Sequence, residues 1–242
     1  KSTLLLWRIL KLQLTYMTWK QMFTSSVGKK LVMAFTGIFL ILFLIVHVAL
    51  NACIWAMDGG EMFNKGAHFM GANVVPRILE IGLFAGFILH IVQGLMLTFD
   101  NQKARSVKYA VDYGNKGSKW YSRSMGLLGT LLLFFLIIHI SKFFWDTKVA
   151  LYTAGGANDA SHNLYLEMKE EFQKWWVVLI YSLGVISLFW HLLHGFQSAF
   201  QTLGINHKRY TPLIKTIGVG YTFIICLLFL LMPIAFYFGW IQ

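Results

Sequence analysis

Five long apolar stretches determine what this chain can fold into. Each is long enough to cross a lipid bilayer as a helix, which takes about 20 mostly apolar residues. They lie at about 31–57, 76–99, 124–145, 175–200 and 213–240. Because a helix satisfies its own backbone N–H and C=O groups, it can span the hydrocarbon layer without water. The sequence therefore predicts an all-α membrane protein, a bundle of five transmembrane helices forming a single domain over residues 1–242.

Composition and the ends of the spans agree with a membrane location. Charged residues make up 13% of the chain and hydrophobic residues 57%, whereas soluble domains carry about 25% charged residues. Tryptophans cluster near the predicted ends of the spans, as in interfacial aromatic belts. They are Trp55, Trp120, Trp145, Trp175, Trp176 and Trp240. The two cysteines form neither a CxxC nor a CxxCH motif, so the sequence indicates no iron–sulfur, zinc or dithiol site and no covalently attached haem.

The basic residues predict the orientation of the chain. Fifteen of the twenty-one lysines and arginines fall in residues 1–30, 100–123 and 201–215, which lie on one side of a five-span topology. Because short basic loops remain cytoplasmic, the N-terminus is predicted inside and the C-terminus outside. Eight of the ten acidic residues fall on the other side. The net charge of +11 thus reflects a basic inner surface that faces anionic lipid or a partner protein, and it gives no indication of nucleic-acid binding.

Residues 1–30 are predicted to form a cytoplasmic segment at the membrane interface. Residues 4–24 mix apolar and basic side chains, a pattern typical of an amphipathic helix that lies along the membrane surface. The first span then begins at about residue 31.

Five histidines lie inside the predicted spans, and they are the strongest indication of function. The first three spans carry one each, His47, His90 and His139, and the fourth carries His191 and His194. An ionisable residue within the membrane usually marks a functional site. The other histidines, His68, His162 and His207, fall in predicted loops, where a solvated side chain is the simpler interpretation.

Depth sorts the histidines in the spans into two pairs. Counted from the outer charged boundary at about 1.5 Å per residue, His139 lies about 10 Å deep and His47 about 16 Å. On the same scale His90 lies about 20 Å deep and His194 about 30 Å along its helix. Two pairs of imidazoles at two depths are what two stacked b haems, each with two axial histidine ligands, require. We therefore predict His47 with His139 as the outer pair and His90 with His194 as the inner pair.

Small residues flank the predicted inner ligands. Gly86 and Gly94 lie four residues on either side of His90, on the same helix face, where they allow a macrocycle to approach the backbone. Close helix packing explains such glycines equally well. On the fourth span, greater depth favours His194 as the ligand, and His191 is then expected to hydrogen-bond a haem propionate or a neighbouring helix.

The sequence resembles the five-helix, di-haem cytochrome b subunit of succinate:quinone oxidoreductases, a group that includes quinol:fumarate reductases. The resemblance covers nearly the whole chain. Within the group, the chain is most similar in type to the single-chain anchors of Bacteroidetes-like bacteria. It rests on "SSVGKKLVMAFTG" with "LIVHVALN", on "ILHIVQGLMLT", on "GLLGTLLLFFLIIHISKFFW" and on "HLLHGFQSAFQTLG". In that family the ligands pair first helix with third and second with fourth, which is the pairing that depth predicts here, and the His-Gly step of the fourth helix supports His194.

The resemblance implies cofactors, partners and a location. It implies two b haems, a flavoprotein subunit and an iron–sulfur subunit docked on the basic inner side, and a membrane quinone, with menaquinone favoured, in a bacterial cytoplasmic membrane. It fits either direction of catalysis, succinate oxidation or fumarate reduction. Some members carry a glutamate two residues before the fourth ligand, where this chain has Leu192, so a proton route of that kind is not expected. No quinone-binding residue is assigned, although Glu61 and Glu80 lie near the outer end.

Other functions predict different patterns. A cytochrome b subunit of a hydrogenase or formate dehydrogenase usually has four spans and another arrangement of histidines. A transporter with a histidine proton relay needs charged partners within the spans, and Glu80 is the only acidic residue near enough to consider. A membrane anchor that has lost its haems would not require one histidine in each of four spans.

Overall fold

The computed structural model describes residues 18–103, 119–153 and 163–241, with the side chains of 150–153 left out. Ten α-helices lie within these residues. They are α1 (Trp19–Thr24), α2 (Ser26–Ala52), α3 (Glu61–Ala72), α4 (Val74–Lys103), α5 (Trp120–Arg123), α6 (Met125–His139), α7 (Asp146–Thr153), α8 (Leu164–Glu171), α9 (Trp175–Thr202) and α10 (Thr211–Tyr237). A 3₁₀ turn, Cys53–Ala56, follows α2, and a π-helical turn, Ile140–Trp145, joins α6 to α7. The described residues contain no strand, so the all-α prediction is confirmed.

Five helices are long and apolar enough to cross a membrane, as predicted. They are Ser26–Ala56, Val74–Lys103, Met125–Val149, Trp175–Thr202 and Thr211–Tyr237. The first begins five residues before the predicted boundary, inside the segment assigned to the interface. Of that segment's predicted amphipathic helix, residues 4–17 lie outside the described part of the chain, and α1 covers the remainder. The N-terminus of α1 is capped by Thr18, whose hydroxyl accepts from Gln21 N while the Gln21 side chain accepts from Thr18 N.

The chain divides into two compact units, and each of the five long helices contributes residues to both. We name the units by their histidines. Of the described residues, the His90 unit comprises 18–42, 85–103, 119–129 and 190–222, and the His47 unit comprises 43–84, 130–153, 163–189 and 223–241.

In the His90 unit the start of α2 is fixed by a close turn and by an ion pair of a buried lysine. The Ser25 hydroxyl accepts from Gly28 N at 3.0 Å. A side chain at Gly28 would collide with the backbone of Met22, so only glycine fits there. The ammonium of Lys29, with its side chain 10% exposed, lies 2.6 Å from a carboxylate oxygen of Asp100 on α4. Because a buried ammonium is costly unless it is paired, this contact ties the first turn of α2 to the last turns of α4.

In the His47 unit the connecting segments form a packed cap. Tyr165 on α8 is buried and its ring contacts Phe236 on α10, with centroids 5.4 Å apart. Gly60 has φ +86°, and an added Cβ would collide with the Tyr165 ring, so both the backbone and the space require glycine. Burial raises the pKa of Tyr165, and the charge of Asp58 raises it further.

The same unit contains a network of charges centred on Lys142. Its ammonium lies 3.3 Å from Asp146, 3.4 Å from Glu167 and 3.3 Å from Glu171. Burial raises the pKa of Glu171, but hydrogen bonds and charges from Lys174 and Lys142 outweigh it and hold the pKa below its ordinary value. A carboxyl group with a depressed pKa stabilises the folded state above its unfolded pKa, and the contribution is lost as the pH falls through the folded value.

We expect Lys142→Met to destabilise this cap by about 1 kcal/mol, because three carboxylates lose their shared cation and each partly exposed pair contributes only a fraction of that. The measurement is the unfolding temperature of the purified protein in detergent at neutral pH. Lys65→Met is the matched control, since Lys65 makes an exposed pair with Glu61 on α3. An equal loss of stability in the two variants would show that the network adds nothing beyond a surface ion pair.

Candidate haem-binding site

The histidines of the spans divide between the two units. His47 on α2 and His139 at the end of α6 belong to the His47 unit. His90 on α4, together with His191 and His194 on α9, belongs to the His90 unit. Outside the spans, His207 is exposed, His68 lies exposed in α3 rather than in a loop, and His162 lies outside the described residues.

In the His47 unit the two imidazoles face each other. The ring centroids of His47 and His139 are 5.8 Å apart at an interplanar angle of 82°. Each ring is held by an aromatic neighbour four residues earlier on its own helix: Phe43 stacks on His47 with centroids 5.2 Å apart, and Phe135 stacks on His139 at 5.6 Å. The π-helical turn begins directly after His139, and such turns recur at functional positions in helices.

In the His90 unit the facing pair is His90 with His191. Their ring centroids are 6.2 Å apart at 64°. The ring of His194, the predicted ligand, lies instead beside Tyr121, with centroids 6.5 Å apart. The structure thus places His191 beside His90, whereas the predicted ligand, His194, is one helical turn further along α9. The ligand role of either histidine stays a prediction.

Both facing pairs have the spacing that a shared iron requires. An imidazole nitrogen binds a transition metal at about 2 Å, as in zinc sites, so two ligands on opposite faces of one iron have ring centroids roughly 6 Å apart. The observed separations are 5.8 Å and 6.2 Å. The described residues contain no group of three or more His, Cys, Asp or Glu able to hold a metal ion. A haem needs only two protein ligands, because the porphyrin supplies the other four.

Two further observations in the His90 unit fit a bound group. The Nδ1 atom of His191 is buried and has no hydrogen-bond partner, a cost that folding alone leaves uncompensated. A Cβ added at Gly195, four residues after His191, would meet nothing within 4 Å. The residues present therefore fit a haem between His90 and His191.

The glycines beside His90 have a simpler explanation. An added Cβ at Gly86 would lie 3.0 Å from the Phe39 ring, and one at Gly94 would lie 3.7 Å from Met33. Both glycines allow close packing of α2 against α4, which is the alternative that the sequence left open. The glycine that lies next to His90 is Gly37 on α2, where an added Cβ would be 3.6 Å from Cε1 of the histidine.

Comparison with curated proteins identifies a relative. The chain is 28% identical over 186 residues to the "Succinate dehydrogenase cytochrome b558 subunit" of Bacillus subtilis (strain 168), an alignment covering 76% of this chain and 81% of the relative. This chain is a homologue of a succinate dehydrogenase cytochrome b subunit. The predicted resemblance to a cytochrome b subunit of succinate dehydrogenase is confirmed, and with five helices able to span a membrane the chain is a multi-pass protein of a bacterial cytoplasmic membrane. No family model and no solved structure matches it.

The two carboxylates considered for a quinone are both engaged in ion pairs. In this cytochrome b homologue Glu80 lies 2.7 Å from the ammonium of Lys148, and both side chains are largely buried. Glu61 pairs with Lys65 on the exposed side of α3. Lys148 also lies over the Phe144 ring, 5.3 Å from its centroid. Neither carboxylate contacts a histidine in these pairs.

Sequence reasoning missed the hydroxyl groups that bind the imidazoles. Thr36 Oγ1 lies 3.1 Å from His90 Nδ1, and the Tyr181 hydroxyl lies 3.4 Å from His139 Nδ1. Both come from neighbouring helices, 54 and 42 residues away in sequence. The only available signal is a polar residue inside an apolar span, and this signal is too common to select these two.

Proposed function

We propose that this chain is the membrane-anchor cytochrome b subunit of a succinate:quinone oxidoreductase, complex II, and that it carries electrons between an iron–sulfur subunit and a membrane quinone through two b haems. The observation that carries the proposal is the presence of two facing histidine pairs, one in each unit, in a homologue of a protein named as a cytochrome b558 subunit. The relative's name supports the enzyme complex and the haem type. The haem count and the ligands are our proposal.

His47 and His139 are the residues that would hold the outer haem. When bound, a b haem supplies one-electron chemistry, cycling between its ferric and ferrous forms. The protein's part is to hold the two rings at their observed separation, with their planes nearly perpendicular, and to exclude water. The stacked rings of Phe43 and Phe135 limit rotation of the imidazoles, so less ordering is needed when the group binds.

His90 and one histidine of α9 are the proposed ligands of the inner haem. The ring separation and the unpartnered Nδ1 favour His191, whereas the depth argument and the His-Gly step favour His194. If His191 is the ligand, His194, beside Tyr121, becomes the candidate for a hydrogen bond to a haem propionate.

The partners follow from the same proposal. A flavoprotein subunit and an iron–sulfur subunit dock on the basic inner side, of which Lys103 is described and Arg105 and Lys108 lie outside the described residues. The quinone is menaquinone by resemblance. Anionic lipid surrounds the basic inner surface.

The two alternative functions have less support. A histidine proton relay needs charged partners, whereas His90 and His139 hydrogen-bond the neutral hydroxyls of Thr36 and Tyr181. A cytochrome b of the hydrogenase or formate dehydrogenase type usually has four spans, and five helices qualify here.

The test is the haem content of the complex purified with its soluble subunits. Pyridine haemochrome quantitation should give two b haems per copy of this chain, because two separate pairs of ligands are present. A ratio near one, or no haem, would contradict the proposal.

A further inference from the structure

We propose that Thr36 is the positioning residue for His90: its hydroxyl accepts the Nδ1–H of the imidazole, presents Nε2 to the iron and thereby lowers the reduction potential of the inner haem. The inference rests on the proposed function, since it takes His90 as an axial ligand. It goes further by assigning the partner that orients this ligand and tunes it.

The direction of the hydrogen bond follows from counting protons. Thr36 Oγ1 lies 2.7 Å from the carbonyl oxygen of Val32, one turn earlier on α2, and 3.3 Å from that of Met33. Carbonyl oxygens only accept, so the single hydroxyl proton is donated to one of them. At the 3.1 Å contact with His90 the oxygen must then accept, and Nδ1 carries the proton.

This arrangement determines which ring nitrogen can bind a metal. A neutral imidazole has one N–H and one lone pair on its two ring nitrogens. With the proton on Nδ1, the lone pair is on Nε2, and a second-shell acceptor of this kind fixes both tautomer and ring orientation in metal sites. Thr36 is itself buried, so no bulk water competes for the bond.

Local geometry leaves the ring little freedom. Gly37, the residue after Thr36, brings the α2 backbone close to Cε1 of the imidazole. The threonine therefore lies on the helix that His90 packs against, next to the glycine whose added Cβ would be 3.6 Å from Cε1 of the imidazole. A buried Nδ1–H facing a valine would have no acceptor, and a donor left unsatisfied is costly.

The electronic consequence has a definite sign. An imidazole that donates to an acceptor is more basic towards its metal, and a more basic ligand stabilises the ferric over the ferrous state. Removing the acceptor should therefore raise the potential of the haem that His90 binds. The longer Tyr181–His139 contact, 3.4 Å, predicts a weaker effect at the outer haem.

The experiment is a potentiometric titration of the purified complex with Thr36→Ser, Thr36→Cys and Thr36→Val. Serine keeps the hydroxyl, sulfur is a weak acceptor, and valine has none. We expect Thr36→Val to shift the inner ferrous/ferric equilibrium roughly three- to tenfold towards ferrous, the range for losing one neutral hydrogen bond; tenfold equals 59 mV for a one-electron couple. The potential of the inner haem in Thr36→Cys should lie between those of the other two variants, and the potential of the outer haem should not change.

The matched control is Thr222→Val. Thr222 belongs to the same unit, is fully buried, and donates to the carbonyl of Gly218 at 2.7 Å, so it reproduces the helix bond of Thr36 without the imidazole. If Thr222→Val shifts the potential as much as Thr36→Val, the threonine acts only through packing and the inference is overturned. If the Thr36→Val complex does not assemble, the test is the potential of the inner haem in Thr36→Ser compared with Thr36→Cys. A higher potential in Thr36→Cys supports the inference, and equal potentials reject it.

Near-infrared magnetic circular dichroism of the ferric complex gives a second readout. The charge-transfer band of a bis-imidazole haem responds to hydrogen bonding at the ligand, so only the inner band should move in Thr36→Val. Loss of the proposed function looks different: if His90 binds no haem, the wild-type complex lacks that haem altogether. Two haems with unchanged potentials would overturn the role of Thr36 alone.

Discussion

Replacing His47 or His139 with alanine is expected to remove one haem per chain, halving the haem-to-protein ratio, and to leave the other haem spectrally unchanged. The two rings face each other in one unit, so either substitution leaves an iron with a single protein ligand. The remaining pair, on α4 and α9, belongs to the other unit. The measurements are pyridine haemochrome quantitation and the low-spin ferric EPR signals.

Double variants test the pairing itself. If His47 and His139 serve one iron, His47→Ala/His139→Ala loses no more haem than either single variant, whereas His47→Ala/His90→Ala loses both haems. Such non-additivity identifies residues that act as a unit. His68→Ala, at an exposed position on α3, is the control and should retain both haems. Additive loss within the proposed pair would disprove it.

The spans, and the division of their histidines into two groups, could be predicted because both depend on distance along the chain. A helix rises about 1.5 Å per residue, so positions in sequence translate into depth with little knowledge of packing. This was enough to separate His47 and His139 from His90 and the α9 histidines, as the two units do. The start of α2 was missed by five residues because the pair between Lys29 and Asp100, 71 residues apart, allows a lysine to lie within the span.

Which residues face each other depends on how each helix is rotated about its own axis. Sequence position alone does not determine this rotation. The hydroxyls of Thr36 and Tyr181 bind imidazoles on other helices, and packing decides those contacts. Gly86 and Gly94 fitted either a macrocycle or close helix packing in the sequence, and they pack against Phe39 and Met33. Gly195 directly follows His194 in the sequence and was therefore assigned to it, but it also lies four residues after His191, and the space beside it is open.

The choice between His191 and His194 shows this limit of depth directly. The residues are three positions apart, about 4.5 Å along the axis and about 60° apart around it. A depth counted from loosely defined loop boundaries cannot separate them, whereas ring direction can. The structure turns His191 towards His90 and His194 towards Tyr121.

We therefore expect His191→Ala to remove the inner haem, again one of two, and His194→Ala to retain it. The reason is that the ring of His191 lies at the separation from His90 that a shared iron requires, whereas the ring of His194 lies beside Tyr121. His90→Ala/His191→Ala should lose no more haem than His90→Ala. The same haem quantitation and EPR signals measure these outcomes.

His191→Gly adds a stricter test, because it leaves a cavity of about the size of an imidazole next to the open space at Gly195. Free imidazole added during assembly should restore the low-spin signal in this variant if the lost group was an axial ligand. The same addition to His194→Gly should change nothing. If instead only the His194 variants lose haem and respond to imidazole, the inner ligand is His194, and the contact between His90 and His191 is packing alone.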